Sequence, residues 1–398
     1  MRFLKISLAL LLVAALGVSM SGCFFDDVTK ETIDVPGIAS SDEYNYYAKL
    51  DEVIELLDEY YVDGYDKEHL GDFLASAAVA ATGDRWSYYV SAEDAAAFQE
   101  SNANAYVGIG VTVQVVGPDD ARLKIVKVNH NSPAEKAGLI NGDIVSSVDG
   151  ESTADLGLDG TKNKIRGEEG TDVTLTIERE KKNMDIKVMR EVIKVPVVIS
   201  ELLEDDIGYI KINNFDERCA EETIGAIEAL RKQGASALVF DVRFNPGGRK
   251  DELVKILDYL LPEGPLFRSV DYQGNESVDN SDEKCLKMPM AVLVNGESYS
   301  AAEFFAAALQ EYDWATVVGT QTCGKANYQI TYPLSDGSFV AISSGHYQTP
   351  HGVTLTDVGV TPDIVVEVDD QMILDLYYEK IEKTKDKQLQ AAISAVKQ

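Results

Sequence analysis

Short continuous apolar runs in the second half of the chain limit its fold more than any other feature. Ala237–Val242 and Met290–Val294 are almost wholly apolar, which is typical of strands buried inside a sheet. A segment with helical character, 250–261, lies between them. Because strands and helices alternate, the sequence predicts an α/β unit, for which we expect the boundaries 193–369.

Further elements of this unit follow from periodicity and turn residues. Ile207–Ile212 is predicted to be a strand, and Asp216 is predicted to cap a helix that ends at Gly234. The polar segment 262–287 predicts a loop, and 370–398 is predicted to be a C-terminal helical segment. Additional strands are predicted at 316–319, 328–332 and 339–343.

The first half of the chain divides into a helical part and a β-rich part. Residues 41–102 show apolar spacings of three and four, which predict helices, one of them at His69–Ala81. Residues 103–192 instead show short alternating strands and turns, with a short helix that Gly138 ends. The sequence therefore predicts a multidomain α/β protein with an N-terminal helical region.

The N-terminus has the features of an export signal. Arg2 and Lys5 precede an apolar stretch, and small residues stand immediately before Cys23. This resembles a bacterial lipoprotein signal at 1–22, which implies a lipid anchor on Cys23 and a tether at 23–40. The apolar stretch is shorter than the roughly 20 residues that a spanning helix needs. We therefore expect a lipoprotein on the extracytoplasmic face of the cell membrane, with a secreted or periplasmic protein as the alternative.

Charge and cysteine content argue against several classes of protein. A net charge of −31 argues against a nucleic-acid partner, because a phosphate backbone would be repelled. The cysteines after Cys23, which are Cys219, Cys285 and Cys323, are odd in number and do not indicate a disulfide framework. No pair of them has metal-ligand spacing. We therefore expect neither a metal nor a cofactor.

Two serines, Ser298 and Ser300, precede an alanine-rich segment with helical character and are candidate nucleophiles. A histidine base would have to come from His346 or His351, and the Gly-x-Ser-x-Gly motif is absent. The segment 281–284 matches Ser-x-x-Lys by letter, but its companion motifs are absent and its surroundings are acidic. Neither class of hydrolase therefore has positive support in the sequence.

A lysine is the remaining candidate base, and Lys325 lies in a stretch without acidic residues, 314–334. The pKa of a lysine is about 10.4, whereas a useful base needs a pKa of about 7–8. The difference corresponds to about 4 kcal/mol of destabilisation of the ammonium, which burial away from carboxylates would provide. A solvent-exposed loop lysine is the alternative interpretation of these residues alone.

The β-rich part carries a specific series of residues. Ser132-Pro-Ala-x-x-Ala-Gly-Leu139 is followed by Gly142-Asp-Ile144, and the turn Arg166-Gly-x-x-Gly-Thr171 comes later. This series resembles a PDZ domain of the bacterial protease-associated kind, with expected bounds 103–192. Such a domain adds the C-terminal end of a peptide to a sheet edge and holds its carboxylate with backbone N–H groups. The resemblance assigns peptide binding to Val107, Gly108, Ile109, Gly110 and Arg166.

Several motifs along the α/β unit have the order and spacing of one enzyme family. They are Gly208-Tyr-Ile-Lys-Ile-x-x-Phe215, Asp241-Val-Arg-Phe-Asn-Pro-Gly-Gly248, Asn295-Gly-Glu-Ser-Tyr-Ser-Ala-Ala-Glu303, Gly319-x-x-Thr-x-Gly-Lys325 and Gly359-Val-Thr-Pro-Asp363. Residues 196–366 thus resemble the C-terminal processing peptidases, also called tail-specific proteases. In that family a serine/lysine dyad works in a chain that also carries a PDZ domain. The resemblance implies a serine endopeptidase whose α/β unit is the protease core.

The resemblance also assigns catalytic roles. Spacing in the family selects Ser300 as the nucleophile and Lys325 as the base, and Gln329 matches the residue that orients the amine. The lysine would take the serine proton, and water would hydrolyse the resulting acyl-enzyme. Arg166 matches an arginine that, in some relatives, links binding in the PDZ domain to alignment of the protease site. A surface turn residue is the alternative interpretation of Arg166.

An oxyanion hole is expected beside the nucleophile. Ser300 stands where a helix begins, so the N–H of Ala301 has no helical acceptor and the helix dipole favours negative charge there. An N–H from Gly247 or Gly248 would complete the hole. The alternatives are that Ser300 is an N-cap and that the two glycines only shape a turn.

The chain departs from the family at Tyr299, where a small residue is usual, and at Cys323 and Ala326. These departures affect the expected substrate preference and rate. The expected substrates are proteins or peptides with accessible C-termini. The main alternative is an inactive protease-like scaffold that holds peptide tails, and a histidine-dependent hydrolase is a weaker one. Family members often assemble through their terminal helical regions, which leaves a homo-oligomer open.

Overall fold

The computed structural model describes residues 46–117 and 120–397 of the chain. The predicted signal, the anchor at Cys23 and the tether lie outside these residues and stay predictions. The described part of the N-terminal region contains three helices and one short strand: α1 (Tyr46–Tyr60), α2 (Lys67–Ala80), β1 (Tyr88–Val90) and α3 (Ala92–Asn102). The Asp66 side chain caps α2 and the Ser91 side chain caps α3, so each helix begins at the polar residue that satisfies its first N–H groups.

The β-rich part forms a separate unit with its own core. Its elements are β2 (Ala105–Gly108), β3 (Val111–Gly117), β4 (Asp120–Val128), α4 (Pro133–Lys136), β5 (Ile144–Val148), β6 (Glu151–Ser152), α5 (Thr153–Ile165), β7 (Asp172–Arg179), β8 (Lys182–Met189) and β9 (Glu191–Lys194). One sheet has the order β3-β4-β5-β7-β8, and β2 pairs with β9 apart from it. Ile125, Val145 and Leu175 are fully buried in this unit, so it has a hydrophobic core of its own.

The α/β unit contains the remaining α-helices and strands of the described chain. They are β10 (Val198–Leu203), β11 (Ile207–Ile212), α6 (Cys219–Lys232), β12 (Ala237–Asp241), α7 (Lys250–Leu260), β13 (Gly264–Asp271), β14 (Glu276–Ser281), β15 (Met290–Val294), α8 (Ala301–Glu311), β16 (Thr316–Gly319), β17 (Asn327–Pro333), β18 (Phe339–Gln348), β19 (Ile364–Val365), α9 (Asp370–Tyr377) and α10 (Lys387–Ala395). The central sheet has the order β10-β11-β12-β15-β16-β19. Only β10 is antiparallel to its neighbour, so the apolar runs β12 and β15 are central parallel strands, as their composition predicts.

The central sheet is covered on both faces. Leu238 and Phe240 of β12 pack with α6, α7 and α8 on one face. Val239 faces the other side, where Leu389 and Ala392 of α10 cover it. The predicted C-terminal helical segment is therefore packed against the sheet. Within the described residues, no helix combines the length and apolar character that crossing a membrane would require.

A second sheet joins the N-terminal region to the α/β unit. Strand β18 pairs with β17 along one edge, and with β1 and β13 along the other. The expectation of a loop over 262–287 is wrong, because β13 and β14 lie within it and pair with each other. Only a few positions such as Leu266 and Phe267 point inward, and the exposed polar positions between them obscured the pattern.

The prediction that Asp216 caps a helix is also wrong. Helix α6 begins at Cys219, and Arg218 is at its N-cap with a left-handed φ of 75°. Asp216 is instead buried, and burial raises the pKa of its carboxyl well above the usual range. Asp216 N–H donates to the side chain of Asn214, so Asp216 belongs to the turn that precedes the helix.

Candidate active site

Ser300 stands between the turn after β15 and the first residue of α8. Its backbone has φ 55° and ψ −125°, a conformation that residues other than glycine adopt only under strain. Its Oγ is buried and has no hydrogen-bond partner among the described residues. A strained serine at a strand–turn–helix junction is the geometry of a nucleophile elbow. The chain therefore forms a strained serine turn of this kind although it lacks the Gly-x-Ser-x-Gly motif.

Gly247 lies directly against Ser300. Its φ is 95°, and a Cβ at this position would lie 2.8 Å from Ser300 Cβ and 3.0 Å from Ala301 N. A glycine is therefore required at position 247. Any side chain would strain the backbone at this φ, and its Cβ would collide with Ser300 and the start of α8.

Ser298, the other candidate nucleophile, is tied into the turn. Its Oγ donates to Val242 O at 2.7 Å and accepts from Asn295 N–H at 3.0 Å. The side chain is fully buried. This hydroxyl therefore holds the β15–α8 turn against the end of β12. The Ser300 hydroxyl makes no comparable hydrogen bond within the described residues.

The Glu303 carboxylate gathers four donors in the buried centre of the site. One oxygen accepts Ser300 N–H at 2.9 Å and Lys325 N–H at 2.8 Å. The other accepts the Thr322 hydroxyl at 2.6 Å and Gly324 N–H at 2.7 Å. Burial raises the pKa of Glu303, and the four hydrogen bonds act in the opposite direction. Two main-chain segments that are remote in sequence thus meet on a single atom.

Glu303 also changes the expected surroundings of Lys325, for which burial away from carboxylates was predicted. No acid occurs near this lysine in sequence, but the fold brings a buried carboxylate to its main chain. A signal was present, because Ser300-x-x-Glu303 has the spacing of a capping box, in which the glutamate returns to the N-cap N–H. Glu303 ends the motif Asn295–Glu303, but its hydrogen bonds to the second segment were not predicted.

Lys325 and Gln329 are both buried, at 4% and 1% exposure, so the interpretation of Lys325 as a solvent-exposed loop residue is wrong. The Gln329 amide nitrogen donates to Ser343 Oγ at 3.0 Å and to Asn327 O at 3.2 Å. Its Oε1 is buried and has no hydrogen-bond partner within the described chain. The amide is therefore held by its nitrogen, with its oxygen left as an acceptor.

Two N–H groups beside Ser300 are candidates for an oxyanion hole. Ala301 N–H is in the first turn of α8 and makes no hydrogen bond among the described residues. Gly247 N–H donates to Asn245 Oδ1 at 2.8 Å, so it is already engaged. Gly248 N–H has no acceptor in the described part of the chain, and the main chain of Gly248 packs tightly on Phe215.

A turn of the N-terminal region also reaches this site. The ring of Trp86 lies 4.8 Å from Lys325 Nζ and 5.9 Å from the ring of Tyr299. Arg85 donates to the sulfur of Cys323 at 3.3 Å. No motif in the sequence predicts these contacts. No local pattern in one sequence indicates which distant surface such a turn will contact.

The predicted peptide-binding residues lie in the β-rich unit. Val107 and Gly108 are in β2 and pair with β9. The N–H groups of Ile109 and Gly110 make no hydrogen bond within the described residues, which suits a nest for a carboxylate. Arg166 lies over the ring of Tyr106 at 4.9 Å and contacts Glu100 of α3 at 3.7 Å. These contacts link Arg166 to the N-terminal region and not to Ser300.

The other candidates for chemistry are engaged elsewhere. His346 Nδ1 is 3.0 Å from Asn327 Oδ1, and His351 lies 3.6 Å from Glu311. Ser281 donates to Pro262 O, while Lys284 is exposed. In the part of the chain that the structure describes, no group of three or more histidine, cysteine or acidic side chains is arranged to hold a metal ion.

Comparisons with known proteins bear on both units. Residues 206–366 match the family described as peptidase family S41, and residues 124–179 match a PDZ domain. A carboxy-terminal-processing protease of Bartonella bacilliformis is 32% identical over 346 residues, which cover 83% of this chain and 78% of that protein. The carboxy-terminal processing protease CtpA of Bacillus subtilis is 32% identical over 327 residues, which cover 81% of this chain and 70% of that protein.

A solved structure, described as an S41 protease from Bacteroides fragilis, is similar in fold. It has a TM-score of 0.52 and covers 89% of this chain and 98% of that chain. The identity is 17%, so this likeness concerns the fold alone.

Proposed function

The chain belongs to the carboxy-terminal processing proteases of peptidase family S41 and is a serine peptidase with a PDZ domain, and we propose that Ser300 and Lys325 are its catalytic dyad. The protein would be an endopeptidase that recognises C-terminal tails through the PDZ domain. Cleavage would proceed through an acyl-enzyme on Ser300.

The shared carboxylate of Glu303 is the observation that carries this proposal. Ser300 and Lys325 are 25 positions apart in the sequence, yet their N–H groups donate to the same oxygen. Their main chains therefore lie within two hydrogen bonds of each other. Both side chains are buried, and the Ser300 hydroxyl has no structural hydrogen bond to break before it reacts.

The chemistry follows from these positions. Neutral Lys325 takes the proton of Ser300 Oγ as the oxygen attacks a peptide carbonyl, and the ammonium then protonates the leaving amine. Water, deprotonated by the same lysine, hydrolyses the ester. Gln329 Oε1 is a buried acceptor suited to orienting the amine.

The oxyanion that forms on the attacked carbonyl needs donors beside Ser300. Ala301 N–H is one, because it stands at the N-terminus of α8. Of the two glycines, Gly248 is the better second donor, since Gly247 N–H already donates to Asn245. Gly247 would instead provide the space that lets the loop approach Ser300.

Substrate recognition is assigned to the PDZ domain. The unbonded N–H groups of Ile109 and Gly110 support capture of a chain-terminal carboxylate. A lipid anchor on Cys23, also part of the proposal, would hold the protease on the extracytoplasmic face of the membrane. Retention of the Cys23→Ser protein in the membrane fraction would contradict the anchor.

The dyad is tested by cleavage of an unfolded protein with a free C-terminus. We expect Ser300→Ala and Lys325→Ala each to lower kcat/KM by about a thousandfold or more. Ser298→Ala is the matched control, and it should retain most activity because its hydroxyl is structural. Full activity in Ser300→Ala would exclude the dyad.

A serine-directed fluorophosphonate separates the protease from an inactive scaffold. We expect the wild-type protein, but not Ser300→Ala, to be labelled at residue 300. A wild-type protein that binds tail peptides but is neither labelled nor active would be a scaffold. Activity that vanishes in His346→Ala and survives in Lys325→Ala would instead indicate a histidine base.

A further inference from the structure

The turn Asp84–Ser87 reaches the proposed dyad from outside the α/β unit. Trp86 presents its ring to Lys325, with 4.8 Å between the ring centroid and Nζ. At this distance the ring face attracts a cation, and it also occupies space from which water could reach the amine. Trp86 is thus in direct contact with the group proposed to carry the proton.

The ring of Trp86 also packs against Tyr299, the bulky residue beside the proposed nucleophile. Tyr299 is largely buried, and its ring packs on Trp86 with the centroids 5.9 Å apart and the planes at 34°. Burial raises the pKa of the Tyr299 hydroxyl, so this side chain stays neutral. The bulky residue next to Ser300 therefore forms an aromatic pair with Trp86, the same ring that faces Lys325.

A second route connects the turn to Gln329. Ser87 Oγ accepts Ser343 N–H at 2.9 Å, and Ser343 Oγ accepts the amide nitrogen of Gln329 at 3.0 Å. Ser87 itself donates to Asp84 Oδ2 at 2.6 Å. A continuous series of hydrogen bonds thus runs from the turn to the residue proposed to orient the lysine.

The turn is held in a fixed shape and a fixed place. Asp84 Oδ1 accepts Trp86 N–H at 3.0 Å, which closes the turn on itself. Strand β1 follows at once and pairs with β18 through Tyr88 and Ala341, only two residues before Ser343. Because the turn is anchored to the sheet that carries Gln329, its position relative to the site is set by the main chain.

We propose that Trp86 and Ser87 are positioning residues of the protease, so that the N-terminal region completes the active site. The inference rests on the proposed dyad. Trp86 keeps water from Lys325 and holds its amine in place, and Ser87 fixes Gln329 through Ser343. A protease without this turn would retain Ser300 and Lys325 but would lack a dry, ordered base.

The Trp86 ring has two effects on Lys325, a cation–π contact and exclusion of water, and their sizes can be compared. A cation–π contact stabilises an ammonium only modestly, whereas full burial can shift the pKa of a lysine by about 3–5 units. Since Lys325 is only 4% exposed, loss of cover should matter more than loss of the cation–π contact. Removing the ring should therefore favour the ammonium and reduce the fraction of neutral lysine at neutral pH.

The test compares Trp86→Ala and Trp86→Phe in the full chain, with an unfolded protein substrate. For Trp86→Ala we expect kcat to fall by about tenfold to a hundredfold with little change in KM. The acidic limb of kcat against pH should move to higher pH by about one unit. Trp86→Phe retains an aromatic face. Its kcat should be within about threefold of the wild-type value, and its acidic limb should lie within a few tenths of a pH unit of the wild-type limb.

Ser87→Ala tests the second route, and Ser91→Ala is its matched control. Both serines lie in the N-terminal region and contact an aspartate three positions away, but Ser91 only caps α3. We expect kcat to fall by about tenfold in Ser87→Ala and to stay within twofold in Ser91→Ala. Circular dichroism of all variants identifies any that fail to fold.

Each outcome decides the inference. A pH limb that moves in Trp86→Ala and returns in Trp86→Phe supports it. Unchanged kcat and pH profiles in both variants overturn it, and so does an equal loss in both with no shift of the limb, which indicates a merely structural role. If Ser300→Ala remains active in the same assay, the dyad itself is wrong, and that failure is distinct from failure of the turn.

Discussion

The surroundings of Ser300 and the boundary between the PDZ domain and the α/β core are held together by different kinds of contact. At Ser300, four donors from two segments of the chain converge on the buried carboxylate of Glu303. At the PDZ boundary, Arg218 donates to the carbonyl oxygens of Asn104 and Val195, and Asn104 exchanges amide hydrogen bonds with Asn214. These contacts are polar and partly exposed, whereas those of Glu303 are fully buried.

The difference matches the proposed division between cleavage at Ser300 and recognition by the PDZ domain. A buried carboxylate with four donors cannot move without leaving several polar groups unsatisfied, so the main chains of the proposed dyad are held in a fixed arrangement. Partly exposed polar contacts resemble those of domain interfaces that allow relative motion. We therefore expect the PDZ domain to change its position more easily than the groups around Glu303. Three predictions test this comparison, in order of decreasing effect.

The largest effect is expected from Glu303→Gln. An amide has almost the same size but presents its NH2 group to two of the four donors, so it cannot satisfy them all. We expect kcat to fall by at least about a hundredfold, and the free energy of unfolding to fall by about 1–3 kcal/mol. Glu311→Gln at the other end of α8 is the control, with steady-state kinetics and urea unfolding as measurements. A Glu303→Gln protein with wild-type kcat would show that the shared carboxylate is not what orders the dyad.

A smaller loss is expected from Gly247→Ala. The new Cβ would lie 2.8 Å from Ser300 Cβ, and the φ of 95° is unfavourable for alanine. The loop or the serine must shift, and we expect kcat to fall by about tenfold to a hundredfold while binding of a tail peptide is unchanged.

Gly225→Ala is the control for Gly247→Ala. It lies within α6 with open space around it, so alanine there should leave activity intact and raise stability by up to about 1 kcal/mol. A Gly247→Ala enzyme as active as Gly225→Ala would contradict the close approach of this loop to Ser300.

The smallest effect is expected from Arg218→Ala, which removes the hydrogen bonds to Asn104 O and Val195 O. The PDZ domain would be held less firmly, and KM for a substrate with a free C-terminus should rise by about fivefold. The same substrate with an amidated C-terminus should be cleaved as by wild type, because the dyad is not touched.

Arg231→Ala is the control for Arg218→Ala, since Arg231 pairs with Glu228 on the exposed part of the same helix. An equal loss on the free and amidated substrates would mean that Arg218 supports the protease core and not the PDZ domain. The comparison between the two regions would then fail.

Sequence reasoning predicted much of the fold because the relevant signals are local. The runs at β12 and β15 are almost wholly apolar, and Ile207–Ile212 is a strand with the predicted bounds. The family and the PDZ domain were identified from motifs, and the comparisons confirm both. The errors at 262–287 and Asp216 occurred where polar residues have a tertiary role, since strands with one exposed face and a buried aspartate do not follow local rules.

The candidate site was predicted unevenly for a related reason. Ser300, Lys325 and Gln329 were selected by spacing within a family, and these roles stay predictions. Glu303 stood in a quoted motif without a role, although its capping-box spacing was visible. Trp86 and Ser87 were missed, because nothing in the turn Asp84–Ser87 indicates a contact more than 200 positions away.

The sequence by itself therefore determined the kinds of elements, the family and the candidate nucleophile and base, because periodicity and motif spacing act over short distances. Only the tertiary structure decided which groups surround Ser300 and Lys325. It brought one carboxylate to Ser300 and Lys325, engaged Gly247 N–H with Asn245, and laid the N-terminal turn over the lysine. These contacts depend on how sheets and helices pack together, and a hydrophobic pattern specifies which faces are buried but not which residues meet there.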